Sequence, residues 1–131
     1  MSLKVVIFED DKDVADIIKE MMEKNHFEVV NCYNISKKDW HDADVVLGDY
    51  RNKIVDFHLL KTECYNRNIP LIAISGYETD FRPQLLKPFH IEEVQAMIMN
   101  ELMRLNHLKS KKEQLSETKG PFGFIKKLFA A

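Results

Sequence analysis

Apolar residues in this chain gather into short runs, and the stretches between them repeat their apolar positions at helical spacing. The runs are Val5-Val6-Ile7-Phe8, residues 27–32, Val45-Val46-Leu47, residues 70–74 and Gln84-Leu85-Leu86. Runs of this length predict strands, and Val45-Val46-Leu47, with two β-branched residues and no charge, reads as the end of a strand buried on both faces. Between the first two, residues 12–25 carry Val14, Ile17, Ile18, Met21 and Met22 at the i, i+3, i+4, i+7 positions of a helix with one buried face. Asp11 or Asp13 is placed to cap it. Residues 36–40 leave room for one or two helical turns. A further helix is predicted over residues 54–65, with Val55, Leu59 and Leu60 inward, ended by Asn66-Arg67-Asn68.

Pro70 opens the fourth strand, where a missing N–H costs least. Strand and helix thus alternate, which predicts a parallel sheet covered on both faces and joined by right-handed crossovers. The alternation then fails. Only nine residues separate Ser75 from Leu85, and a parallel crossover with its helix needs a dozen or more. Residues 76–83 are therefore expected to run as an irregular connection in place of the fourth helix. A long last helix begins at Ile91, with Val94, Ile98, Leu102 and Leu105 on the same face. Its pattern continues through Leu108 and Leu115 at heptad-like spacing, interrupted by Glu101 and Lys112, until Gly120-Pro121 breaks it.

With 131 residues and 45% hydrophobic content, the chain suits one domain with a real core plus a tail. The expected division is a domain over residues 1–106 and a helical, apolar and basic extension over 107–131. A formal charge of −2 gives no global reason to expect nucleic-acid binding. Cys32 and Cys64 form no Cys-x-x-Cys pair and lie in or beside apolar segments, so buried reduced thiols are expected. No amino-terminal signal peptide or membrane-length apolar run is evident, and a soluble cytoplasmic protein is expected.

Chemistry gathers at the strand ends. Asp49 follows the third strand, Glu9-Asp10-Asp11 the first, Ser75-Gly76 the fourth and Lys87-Pro88 the fifth. In open parallel sheets that edge is where ligands bind. Taken alone, the Glu9 to Asp11 cluster reads as helix capping, Ser75-Gly76 as a turn and Lys87-Pro88 as a surface loop. Their common location favours a site. The histidines His26, His41, His58, His90 and His107 form no i, i+4 pair and read as solvated or packed side chains rather than metal ligands.

In order along residues 4–105, Val-Val-Ile-Phe-Glu-Asp-Asp, Val-Val-Leu-Gly-Asp, Ile-Ala-Ile-Ser-Gly and Leu-Leu-Lys-Pro-Phe resemble the receiver domain of two-component response regulators. The resemblance implies a flavodoxin-like α/β fold, a doubly wound parallel five-stranded sheet of order 2-1-3-4-5. It also implies a phosphoacceptor at Asp49, a divalent cation (Mg²⁺) held by Glu9, Asp10 and Asp49, a hydroxyl switch at Ser75 and a lysine at Lys87 that meets the phosphoryl oxygens. Asp11 would be an extra acid beside the pair. The backbone carbonyl near Arg51 would complete the cation's ligands. The donor would be a histidine kinase or a phosphotransfer protein.

The chemistry asks for the same residue types. A carboxylate attacking a phosphoryl group approaches an electrophile already rich in negative charge, so neutralisation and positioning dominate. Mg²⁺ prefers a few carboxylates with water, carbonyl and phosphate oxygens. Without a cation or a lysine, facing carboxylates would raise one another's proton affinity.

Three features depart from the receiver pattern. Gln84 replaces the aromatic commonly found three residues before the lysine, the loop after Asp49 lacks the expected proline and glycine, and the fourth helix is missing. The tail, from Pro121 through Phe122, Phe124, Ile125, Lys126, Lys127, Leu128 and Phe129, combines aromatics with a lysine pair. It can dock on its own domain, on a second subunit to give a homodimer through the last helix and tail, or on an anionic membrane. Docking on protein is favoured. The expected function is a phosphoacceptor signalling by protein interaction and not a turnover enzyme. The alternatives are a non-phosphorylated adaptor or dimerisation module, and an aspartyl-phosphate phosphohydrolase of another α/β family.

Overall fold

A computed structural model of the chain describes residues 2–117, with side chains to residue 106. Five parallel strands, β1 (Lys4–Phe8), β2 (Glu28–Asn31), β3 (Val45–Asp49), β4 (Leu71–Ser75) and β5 (Gln84–Leu86), form one sheet in the order β2-β1-β3-β4-β5. The first crossover carries α1 (Lys12–Glu23), the second only a 3₁₀ turn (Lys38–Trp40) and the third α2 (Phe57–Asn66); α3 (Ile91–Glu117) follows β5. The fourth crossover has no helix. Nine residues were too few to hold one, and the doubly wound flavodoxin-like sheet of order 2-1-3-4-5 forms without it.

Between their polar end residues Lys4, Asp49 and Ser75, the central strands β1, β3 and β4 are apolar, and both their faces are covered. One face packs Val6, Phe8, Val46, Leu71 and Ala73 against Phe57, Leu60 and Cys64 of α2 and against Trp40. Trp40 is fully buried, donates its indole N–H to the Ile35 carbonyl at 2.9 Å and stands edge-on to Phe8. By alternation along the strands, Ile7, Leu47, Ile72, Ile74 and Leu85 face the opposite side. The buried Ala15, Ile18 and Met22 of α1 and Val94 and Ile98 of α3 belong to that layer. Cys32 and Cys64 are free and buried, as their sequence setting implied, and burial pushes the Cys64 thiol up to about 12.

Two helical predictions shift. The third-crossover helix begins at Phe57 and not at residue 54. Asn52 Oδ1 accepts the amides of Ile54 and Val55, holding them in a turn, and Asp56 Oδ1 then caps the helix through the His58 and Leu59 amides. The buried stripe of α2 is accordingly Phe57, Leu60 and Cys64, and Leu59 faces outward. On α1, Ile17 stands 66% exposed although the spacing placed it on the buried face.

Where the fourth helix would lie, residues 76–83 are fastened by side chains. Gln84 Oε1 accepts the Thr79 amide at 3.0 Å and the Thr79 hydroxyl at 2.7 Å, while Thr79 Oγ1 accepts the Phe81 amide. Phe81 packs edge-on against Phe57, and the Tyr50 hydroxyl donates to Asp80 at 2.8 Å. The position that lacks the receiver aromatic is thus the anchor of the loop.

The compact unit built on the sheet ends at Ile98, within α3. Beyond it, Arg104 donates to Glu101 across one turn of the helix at 2.8 Å. Among the described residues no helix is long and apolar enough to cross a membrane. The tail predictions for residues 118–131 fall outside the described residues.

Candidate functional site at the carboxyl ends of the strands

The sheet register sets the site. Phe8 lies beside Gly48, so Glu9 leaves β1 next to Asp49, and Asp49 lies beside Ile74, one residue before Ser75. The Lys87 amide donates to the Ser75 carbonyl at 2.7 Å and brings the end of β5 to the same edge. Gly48 lets α2 pack closely on the sheet just before Asp49, since a Cβ there would stand 2.8 Å from Leu60 Cδ2 and 3.2 Å from Leu71 Cδ1.

Glu9, Asp10 and Asp49 each bring a carboxylate oxygen within 4.8 Å of the others. Lys87 Nζ stands 2.5 Å from Glu9 Oε1 and 3.5 Å from Asp49 Oδ1. Glu9 is 1% exposed and Asp49 8%, whereas Asp10 reaches the surface. Three carboxylates against one ammonium leave an excess of two negative charges when all are ionised. A divalent cation matches that excess, and all-oxygen donors suit Mg²⁺.

Proton affinities respond to this crowding. Burial pushes Glu9 up to about 7; its hydrogen bond from Lys87 opposes the rise, and Asp49 and Asp10 add to it. Burial also acts to raise Asp10, but hydrogen bonding with Glu9 and with the Lys53 amide outweighs it and holds the carboxyl below its ordinary value. Burial acts to lower Lys87, yet its hydrogen bond to Glu9 and the charges of Asp49 and Glu9 win, and the ammonium form is favoured.

Ser75 is 3% exposed, and its hydroxyl donates to the Tyr77 carbonyl at 2.6 Å while accepting the Tyr77 amide. Its place at the end of β4 is the predicted one, with the hydroxyl engaged by its own turn. Arg51 is exposed, with its guanidinium 4.4 Å from the centre of the Tyr77 ring. Asp11 lies outside the carboxylate cluster: its Oδ1 accepts the amides of Asp13 and Val14 and caps α1.

Sequence reasoning missed Asn52 and Lys53. Asn52 donates through Nδ2 to the Phe8 carbonyl at 2.9 Å, and the Lys53 amide donates to Asp10 Oδ2 at 3.1 Å. These bonds tie the loop after β3 to the end of β1, in place of the proline and glycine that the receiver pattern expects. An asparagine three residues past a strand end is a turn signal, but its long-range partner is invisible in the sequence.

No protein-family model matches the sequence. Among solved structures, the chain is similar to a two-component response regulator from Clostridium difficile, at 21% identity and a TM-score of 0.68, covering 80% of this chain and 99% of that one. It is similar to a CheY-like response regulator receiver domain protein from Methanospirillum hungatei JF-1, at 16% identity and a TM-score of 0.68, covering 82% and 98% of the two chains. The receiver domain of the hybrid histidine kinase CckA matches at 20% identity and a TM-score of 0.62, over 76% and 98%. The order of the strands, the acids at the ends of β1 and β3 and these similarities agree: the chain has the fold of response-regulator receiver domains.

Proposed function

We propose that the protein is a phosphoacceptor in two-component signalling, with Asp49 as the acceptor. The observation that carries this reading is the convergence of Asp49 with Glu9, Asp10 and Lys87 at one strand edge. An Asp49 carboxylate oxygen attacks the phosphorus of a phosphohistidine; the P–O bond forms as the P–N bond breaks, and the nitrogen keeps the electron pair. The donor is a histidine kinase or a phosphotransfer protein, a reading supported by the similarity to the receiver of a hybrid histidine kinase.

Lys87 sets its ammonium against the incoming phosphoryl oxygens, and Ser75 turns its hydroxyl from the Tyr77 carbonyl to one of them. Glu9, Asp10, Asp49 and the Arg51 carbonyl would hold Mg²⁺. When bound it would neutralise phosphoryl charge that three carboxylates otherwise repel. Asn52 and the Lys53 amide keep the loop that bears Arg51 against β1. Output is by protein interaction in the cytoplasm, and the acyl phosphate is a state of the protein and not a step in turnover.

Treatment with acetyl phosphate and Mg²⁺ should add one phosphate, located to Asp49 by mass spectrometry and absent from Asp49→Asn. Equal incorporation into wild type and Asp49→Asn, or none in either, would sink the proposal. One feature favours a second reading, a non-phosphorylated adaptor: Lys87 is paired with Glu9 more closely than with Asp49, and the Ser75 hydroxyl is already satisfied. A Mg²⁺ titration separates them, since an adaptor with vestigial acids has no need to bind the ion.

A further inference from the structure

Arg51 and Tyr77 join the two loops that border Asp49. Arg51 follows Asp49 by two residues and Tyr77 follows Ser75 by two, on segments that leave the adjacent strands β3 and β4. The exposed Arg51 guanidinium lies 4.4 Å from the centre of the Tyr77 ring, a cation resting on an aromatic face. Among the described residues, neither a carboxylate nor any other hydrogen-bond acceptor meets it. A group shaped to grip phosphate with forked hydrogen bonds thus stands unused beside the acid that would carry one. Room to move is present, because no atom lies within 4 Å of where a Cβ on Gly76 would stand, between Ser75 and Tyr77.

Tyr77 is tied to the site a second time, since its amide and its carbonyl both bond the Ser75 hydroxyl. A phosphoryl group carries its oxygens further out from the end of β3 than the carboxylate reaches, toward the loop that bears Arg51. An exposed contact of cation on ring is weak, and a forked, charge-assisted bond to phosphate is stronger. We propose, resting on Asp49 as the phosphoacceptor, that Arg51 is a second phosphoryl-binding cation, held on Tyr77 in the unmodified protein, and that its move to the phosphoryl oxygens frees the Tyr77 ring. One event then lifts both restraints on Tyr77, the guanidinium from its ring and the Ser75 hydroxyl from its backbone. Tyr77, already 45% exposed, becomes the aromatic that responds in a chain whose position 84 is a glutamine.

The ring and the phosphoryl group compete for one cation, and competition supplies the test. Beryllofluoride with Mg²⁺, a phosphoryl mimic that adds to a carboxylate, is titrated into the full chain and followed by NMR. Binding should move the Arg51 side-chain resonances downfield, out of the ring current of Tyr77. Arg51→Ala should bind the mimic about tenfold more weakly, and Arg51→Lys, which keeps the charge without the fork, should recover part of the loss. Tyr77→Leu should bind it about threefold more tightly, since the cation no longer has to leave a ring; a purely structural role for the pair gives a loss instead. Unchanged melting of Tyr77→Leu shows that its fold is intact. Equal binding by wild type and Arg51→Ala, equal or weaker binding by Tyr77→Leu, or Arg51 resonances that stay in the ring current would overturn the second role of Arg51 and leave Asp49 as the acceptor. Binding by no variant, wild type included, would overturn both.

Discussion

Lys87 Nζ lies 1 Å nearer to a carboxylate oxygen of Glu9 than to one of Asp49, at 2.5 Å against 3.5 Å. The lysine therefore answers first to the acid that is almost wholly buried. Removing it leaves Glu9 in a low-dielectric site with two other carboxylates and no ammonium.

Lys87→Ala is accordingly expected to destabilise the cation-free protein by about 2 kcal/mol at pH 8 and by much less at pH 5. The sign follows from linkage. With its proton affinity raised to about 7 in the folded state, Glu9 is neutral at pH 5 and needs no partner, whereas at pH 8 the variant must bury an unpaired carboxylate or take up a proton. Urea denaturation at the two pH values measures this; equal losses at both would contradict the account.

Mg²⁺ affinity is expected to fall about tenfold per pH unit below pH 7, because the ion must displace the proton that buried Glu9 holds there. Above pH 7 the affinity should level off. Calorimetric titration across pH 5.5–8 checks this, and Asp49→Asn should weaken binding at least about tenfold throughout. A flat profile would show that Glu9 is not a ligand.

Gln84→Ala removes the acceptor for both the Thr79 amide and the Thr79 hydroxyl. About 1–2 kcal/mol of stability should be lost, with faster hydrogen exchange at Thr79 and Phe81 and little change in β1 and β3. Exchange that speeds up evenly across the sheet would contradict a local anchor.

Gly48→Ala forces a Cβ against the methyl ends of Leu60 and Leu71. Those ends can shift, so the expected cost is about 1–3 kcal/mol and not loss of the fold. Because α2 moves and β3 stays, phosphate incorporation at Asp49 should survive, as mass spectrometry of the acetyl phosphate product would show.

The central strands were legible because each is a short apolar run, their order only through the receiver resemblance, and the missing helix because nine residues between Ser75 and Leu85 cannot hold one. That Glu9, Asp10, Asp49, Ser75 and Lys87 would lie at one strand edge was legible for a related reason: each stands one or two residues from the end of such a run. The start of α2 was less visible. Ile54 and Val55 look like helix residues, and only the Asn52 side chain, bonded both to its own turn and to Phe8 across 44 positions, explains why they are not. Leu59 and Ile17 show the same limit, because periodicity names a helix's stripe but not how wide the covering surface is. Long-range hydrogen bonds and the extent of cover are tertiary properties, and no local pattern encodes them.

The connection between β4 and β5 is held by a few polar side chains and one aromatic edge, where a helix would have brought a whole buried stripe. Such a segment has little apolar surface to lose when it opens, and sub-global opening there costs less than breaching the central strands. Ser75 and Gln84 are the residues at which this span joins the sheet. Its opening lies next to Ser75, so a change of charge at Asp49 acts beside a part of the fold that rearranges more readily than the sheet.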